Sequence, residues 1–161
     1  MKFKKAMTKM EAWFLLIAGL FLGTVFTFGM QYWNAPVTQE DAIHTTDVFS
    51  SYTKNRRNGD VKEIIVRFEN HEQLYIDGSC INEQVWDGLE MISPGMEVEL
   101  MIHPNSNTIL DFRKGNLVVL EFENTSEKLA NEATGFMGLG VFLYILAAYG
   151  LFNLAFWKRR K

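Results

Sequence analysis

Polar and apolar positions divide the chain into three blocks. No charged residue lies between Ala12 and Gln39 or between Ala133 and Trp157, and both stretches are dominated by large apolar side chains. About 20 apolar residues cross the hydrocarbon core of a bilayer, so each stretch is long enough to span it. The pattern predicts transmembrane helices over 12–33 and 135–157, separated by a domain over 34–134 in which apolar and polar residues alternate.

Within that middle block the period is two. Asn34-Ala35-Pro36 ends the first helix, and the β-branched and aromatic residues of Thr45 to Thr53 predict a strand. Asn55 to Asp60, centred on Asn58-Gly59, predicts a turn or mobile loop. Ile64, Val66 and Phe68 then face one way, against Glu63, Arg67 and Glu69 on the other side. Asn70-His71 leads into a strand with Leu74 and Ile76, which Asp77-Gly78 terminates. Ser79 is placed as a helix cap, and Ile81, Val85, Leu89 and Ile92 recur at helical spacing, predicting a helix near 80–92 with one buried stripe. Ser93-Pro94-Gly95 stops it. Further strands follow at Met96–Ile102, around Leu110 and Phe112, and at Val118–Phe122, separated by His103-Pro104-Asn105 and Lys114-Gly115-Asn116. Asn124-Thr125-Ser126-Glu127 matches a capping box for a juxtamembrane helix near 125–134.

Five or six short strands with one helix and no second apolar layer predict an α+β membrane protein. Its small, mainly β extracytoplasmic domain is expected to be a partly closed OB-like or SH3-like barrel, since closure removes exposed sheet edges.

Charge distribution orients this arrangement. Eight of the sixteen cationic residues sit at the ends: Lys2, Lys4, Lys5 and Lys9, then Lys158, Arg159, Arg160 and Lys161. Basic flanks stay cytoplasmic, so both termini (1–11 and 158–161) are expected inside and 34–134 outside. The first apolar run exceeds the ~7–15 residues of a signal-peptide core and no A-x-A site follows, so it reads as a retained span. Trp13, Tyr32, Trp33 and Trp157 fall where interfacial anchors belong. Gly19, Gly23 and Thr27 at i, i+4 and i+8 form a small-residue ridge, and Gly138 and Gly140 are the counterparts in the second span. The ridge reads as the seam of an intramolecular hairpin; the alternative is a homodimer through Gly19 and Gly23. Neither span carries an ionisable group of the Asp, Glu, Lys, Arg or His type, which argues against a proton or ion path.

The middle domain holds eight Lys/Arg against eighteen Asp/Glu, a balance of −10 within an overall −3. That excess argues against a nucleic-acid partner. Arg56 and Arg57 read as a solvated pair, with a grip on an anionic ligand as the sharper alternative. His44, His71 and His103 lie on three elements with no ligand spacing, so no metal or cofactor is expected. Cys80, the single cysteine, reads as a small buried residue; as a helix-terminal nucleophile it would define a thiol-dependent enzyme or redox factor.

The run Tyr75-Ile-Asp-Gly-Ser-Cys80, with Ser93-Pro-Gly-Met-Glu-Val-Glu-Leu100, His103-Pro-Asn-Ser106, Thr108-Ile-Leu110, and Gly135-Phe136 entering a span with Tyr149-Gly150, resembles uncharacterised small two-span membrane proteins of Gram-positive gut bacteria (Firmicutes-type). The resemblance runs from about Asp47 onward. It implies a bacterial cytoplasmic membrane protein with an outward-facing β domain and carries over no functional residue. The function expected on these grounds is a non-enzymatic, membrane-anchored module whose β domain binds a protein, peptide or envelope ligand, as an accessory subunit of a membrane complex. An auxiliary transporter or channel subunit is the remaining alternative.

Overall fold

A computed structural model describes residues 7–29, 32, 35–71 and 73–157. The chain divides into two compact units, one formed by Met1–Trp33 with Glu132–Lys161 and the other by Asn34–Asn131.

The first unit is helical. Helix α1 (Lys9–Thr24) starts at a capping box in which Thr8 and Glu11 bond each other's backbone N–H. It continues as a π-helical turn, Val25–Gly29. Helix α1 with that turn makes Lys9–Gly29, and Phe122–Phe156 belongs to a second long helix; both segments are long and apolar enough to cross a membrane. At 1.5 Å per residue, the 21 residues of the first cover about 32 Å, close to the hydrocarbon thickness. The basic residues Lys2, Lys4, Lys5, Lys158, Arg159, Arg160 and Lys161 lie outside the described residues.

The second unit is a six-stranded antiparallel sheet. Its strands are β1 (Ile43–Arg57), β2 (Asp60–Phe68), β3 (Gln73–Asp77), β4 (Glu97–Ile102), β5 (Ile109–Lys114) and β6 (Leu117–Leu120), in the order β3-β2-β1-β4-β5-β6. Strand β1 serves two neighbours. Its first half, Ile43 to Val48, pairs with β4; its second half pairs with β2 from Phe49 to Arg57, with a register shift between Phe49 and Ser51. An extra residue at such a bulge bends the strand. The bend lets one strand contribute to two differently oriented parts of the sheet, and a parallel bridge from Tyr75 to Thr108 brings β3 towards the start of β5.

The core lies inside this curved sheet. Phe112, Ile64, Ile76, Val66, Val98 and Ile109 are fully buried, and the rings of Phe49, Phe68 and Phe112 meet at 5.9–6.5 Å. Helix α2 (Glu83–Met91) lays Val85 and Leu89 on this core. It comes so close to β6 that a Cβ on Gly88 would stand 3.0 Å from Val119 atoms. A satellite cluster of Ala42, Leu110, Phe122 and Leu129, flanked by Val37, packs the residues before β1 against the start of α3 (Phe122–Trp157).

Three local expectations change. The helix near 80–92 begins at Asn82, whose side chain accepts from Val85 N–H; Ser79 instead sits in a 3₁₀ turn, Gly78–Cys80, capped by Asp77. Two adjacent cap-competent sites compete here, and the Asp77 carboxylate takes Ser79 N–H. The Asn55–Asp60 loop is mostly strand, with Arg57 paired to Asp60 around a two-residue turn in which Asn58 and Gly59 have positive φ. The helices expected near 125–134 and over 135–157 are one continuous helix, Phe122–Trp157, and its start is capped by Asp111, which accepts from Phe122 N–H at 3.0 Å. The Asn124 side chain donates to Glu121 instead of capping.

Candidate functional site

Strand alternation builds a polar groove on the outer face of β1, β4 and β5. Val98, Leu100 and Ile102 point into the core, so Glu97, Glu99 and Met101 point out. Register then sets two rows across the sheet. One runs His44, Met101, Asp111, and the other Thr46, Glu99, Arg113. With Gln39 they line a groove of about 830 Å³. A smaller depression of about 230 Å³ shares Thr46 and Glu99 and adds Glu97 and Lys114.

Its donors and acceptors are held in place. Asp111 is 2% exposed and accepts two bonds from Arg113, from Nε at 2.6 Å and Nη2 at 2.8 Å, besides that from Phe122 N–H. Those bonds and the Asp111 charge hold the Arg113 guanidinium above its ordinary pKa, so it stays cationic at every accessible pH. Its remaining N–H groups are free to bond a ligand beside Glu99. His44 Nε2 donates to Gln39 O at 2.7 Å, fixing the ring at the groove's rim. The groove therefore offers a fixed cation, a carboxylate, an imidazole and hydroxyl groups, suited to hydrogen-bonding a ligand.

The other polar groups are committed to structure. Asp47, buried beneath the β2–β3 turn, accepts from Val48 N–H, both Asn70 nitrogens and His71 Nδ1. His103 is buried, donates from Nε2 to Ala35 O at 3.1 Å and accepts at Nδ1 from Asn105 N–H. Cys80 is 2% exposed in the main core, and burial pushes its thiol pKa up, more than the Ser79 hydroxyl lowers it. Among the described residues no group of three His, Cys, Asp or Glu side chains gathers as a metal site.

The small residues of the two long apolar helices meet one another. A Cβ on Gly19 would lie 2.7 Å from Leu143 O and 2.9 Å from Ala147 Cβ; one on Gly23 would be 3.0 Å from the Tyr144 ring. Gly140 packs against Thr27 Oγ1 with no room for a Cβ, whereas Gly138 has open space around it. Thr24 Oγ1 and Tyr144 OH bond at 3.0 Å alongside this seam. Gly19, Gly23, Thr27 and Gly140 are thus used where α1 and the π-helical turn after it meet α3 of the same chain. Trp13 and Tyr32 are exposed; Trp33 lies outside the described residues, as does the side chain of Trp157.

The groove residues Arg113, Asp111 and Thr46 are absent from the candidates read off the sequence. Only the outward Glu97 and Glu99 signalled that face, and nothing local pairs them with β1 or β5. Comparison of the chain with protein-family models, with curated proteins and with solved structures found no match.

Proposed function

We propose that this protein is a non-enzymatic binding module anchored in a bacterial cytoplasmic membrane by α1 and α3, with both termini inside and the β unit outside. The observation that carries the binding role is the Thr46–Glu99–Arg113 row. In that row Glu99, the Thr46 hydroxyl and the Arg113 N–H groups not bonded to Asp111 stand side by side on the outer face of the sheet. An OB-like, partly closed barrel is the fold reading the strand order favours, because β1 pairs with both β2 and β4, a helix precedes β4, and the Tyr75–Thr108 bridge draws β3 towards β5. The ligand expected is a protein, peptide or envelope component bound as an accessory of a larger membrane complex. The burial of Cys80 weighs against a thiol-dependent activity.

A photoreactive residue in place of Thr46 in the full chain, expressed in its own cell, tests the binding role. A discrete adduct is expected, and it should vanish when Arg113 is replaced by Glu. No adduct, or one indifferent to Arg113→Glu, overturns the reading. Protease added to intact protoplasts tests the topology: tags at both ends should survive while the β unit is cut. Loss of cellular function in a folded Cys80→Ala variant at matched abundance would make thiol chemistry the leading account.

A further inference from the structure

The second half of β1 has one neighbour only. Its outer edge is bonded by β4 as far as Val48, and Phe49 exchanges bonds with Met96 O and Gly95 N–H. Ser50 is the extra residue of the bulge, Ser51 to Arg57 pair with β2 alone, and among the described residues no backbone hydrogen bond reaches the other edge from Ser50 to Arg57. Alternate residues of an antiparallel strand aim N–H and C=O away from the neighbour. These eight residues, about 26 Å of strand, therefore present an open ladder to solvent.

Charge singles out the same place. Lys54, Arg56, Arg57, Lys62 and Arg67, five of the eight cations in the middle domain, lie on the β1–β2 hairpin. Arg56 and Arg57 are exposed and make no ion pair among the described residues. Lys54 lies 4.1 Å over the Trp86 ring, and Arg67 and Asn55 bond Thr53 and Glu63, which hold the hairpin's side chains in order. The strand runs from beside the Ala42–Phe122 cluster to this tip, so the open edge is at the end of the β unit away from its first and last residues.

Resting on the reading of the β unit as a binding module, we propose that the edge Ser50–Arg57 is a docking site for an extended acidic segment of another protein, which joins the sheet as an added strand beside β1. Cations on an exposed edge commonly guard against pairing with like strands. That guard repels a second copy of this edge, and it attracts an acidic strand. Arginine forks suit carboxylates as well as phosphates. A row of backbone donors and acceptors at strand spacing, however, is matched only by another peptide backbone.

Fluorescence anisotropy of the full chain in nanodiscs, with a labelled (Glu-Thr)₄ peptide as probe, tests the proposal. Three results are expected: saturable binding that weakens with salt, no binding of (Lys-Thr)₄, and loss of binding on N-methylation of alternate Glu-Thr amides, which keeps the charge but blocks strand pairing. Arg56→Gln and Arg57→Gln should each weaken binding about fivefold, the upper end for an exposed ion pair. Equal binding of the N-methylated peptide, or its displacement by polyphosphate at equal charge, would reduce the site to a generic cation patch and overturn strand addition. No binding by (Glu-Thr)₄ overturns the edge site outright. Binding lost in Arg113→Glu but kept in Arg56→Gln would move the peptide to the groove, overturning the edge while the binding-module reading stands.

Discussion

Replacing Asp47 by Ala should destabilise the β unit by about 3 kcal/mol, since a buried hydrogen-bonded group left unpaired costs about 1–3 kcal/mol and four donors lose their acceptor. Those donors are Val48 N–H at 2.6 Å, Asn70 N–H at 3.1 Å, Asn70 Nδ2 at 2.9 Å and His71 Nδ1 at 2.5 Å. The sum stays well below four full penalties because Asn70 is exposed and the His71 side chain is 33% exposed, so water replaces part of what is lost. Asp47→Asn keeps an oxygen for the three Oδ1 bonds and should cost about 1 kcal/mol. The assay uses Cys80, which is 2% exposed and reacts only when its surroundings open. Modification by 4,4′-dithiodipyridine, followed in the full chain in mild detergent across a urea series, gives the opening equilibrium. At 1.4 kcal/mol per decade, Asp47→Ala should speed labelling roughly 150-fold. A change of less than about threefold would refute the reasoning.

The same pair of variants gives a pH test. Burial alone would raise the Asp47 carboxyl, but the bonds from His71, Val48 and Asn70 outweigh it and hold the group below its usual range. A carboxyl whose folded value lies below its unfolded value, about 3.9, contributes stability that is complete above that pH and fades as pH falls through the folded value. The parent's advantage over Asp47→Asn should therefore shrink below about pH 4. An advantage that grows on acidification would reverse the assignment.

Further outcomes follow from the packing. Gly19→Ile with Gly23→Ile should lower the aggregation temperature of the purified chain and alter its native-gel mobility, because both side chains would enter α3 atoms; Gly138→Ala, in open space, should change neither. Cys80 should resist iodoacetamide at pH 8 until urea is added, since burial keeps its thiol protonated and covered; rapid native labelling would contradict the core placement. His103→Ala should make residues 35–42 more protease-sensitive, because it removes the donor that holds Ala35 O. Gly88→Leu should cost about 1–3 kcal/mol by overpacking against Val119, read by the same thiol assay.

The two apolar stretches, the strand alternation from Ile64 to Leu120 and the turn at Asn58-Gly59 were legible in the sequence because each depends on neighbours a few residues away, whereas Phe122, expected to end the last strand, starts the C-terminal helix. Period-two burial and apolar runs long enough for a hydrocarbon core are written locally. The choice of Asn82 over Ser79 as the helix cap was not, because it depends on where Asp77 turns its carboxylate. Nor was the length of β1: Asn55 to Arg57 are polar, and they are strand only because Glu63, Val61 and Asp60 return beside them. The burial of Asp47, Asp111 and His103 is also a tertiary outcome. A carboxylate enters a core only when donors come to it, and Asp47 finds His71 24 residues away while Asp111 finds Phe122 N–H across a hairpin. Groove and open edge share this origin. Alternation says which residues face outward, but only strand order decides that Thr46, Glu99 and Arg113 stand in one row and that β4 stops at Val48, leaving the basic half of β1 unpaired.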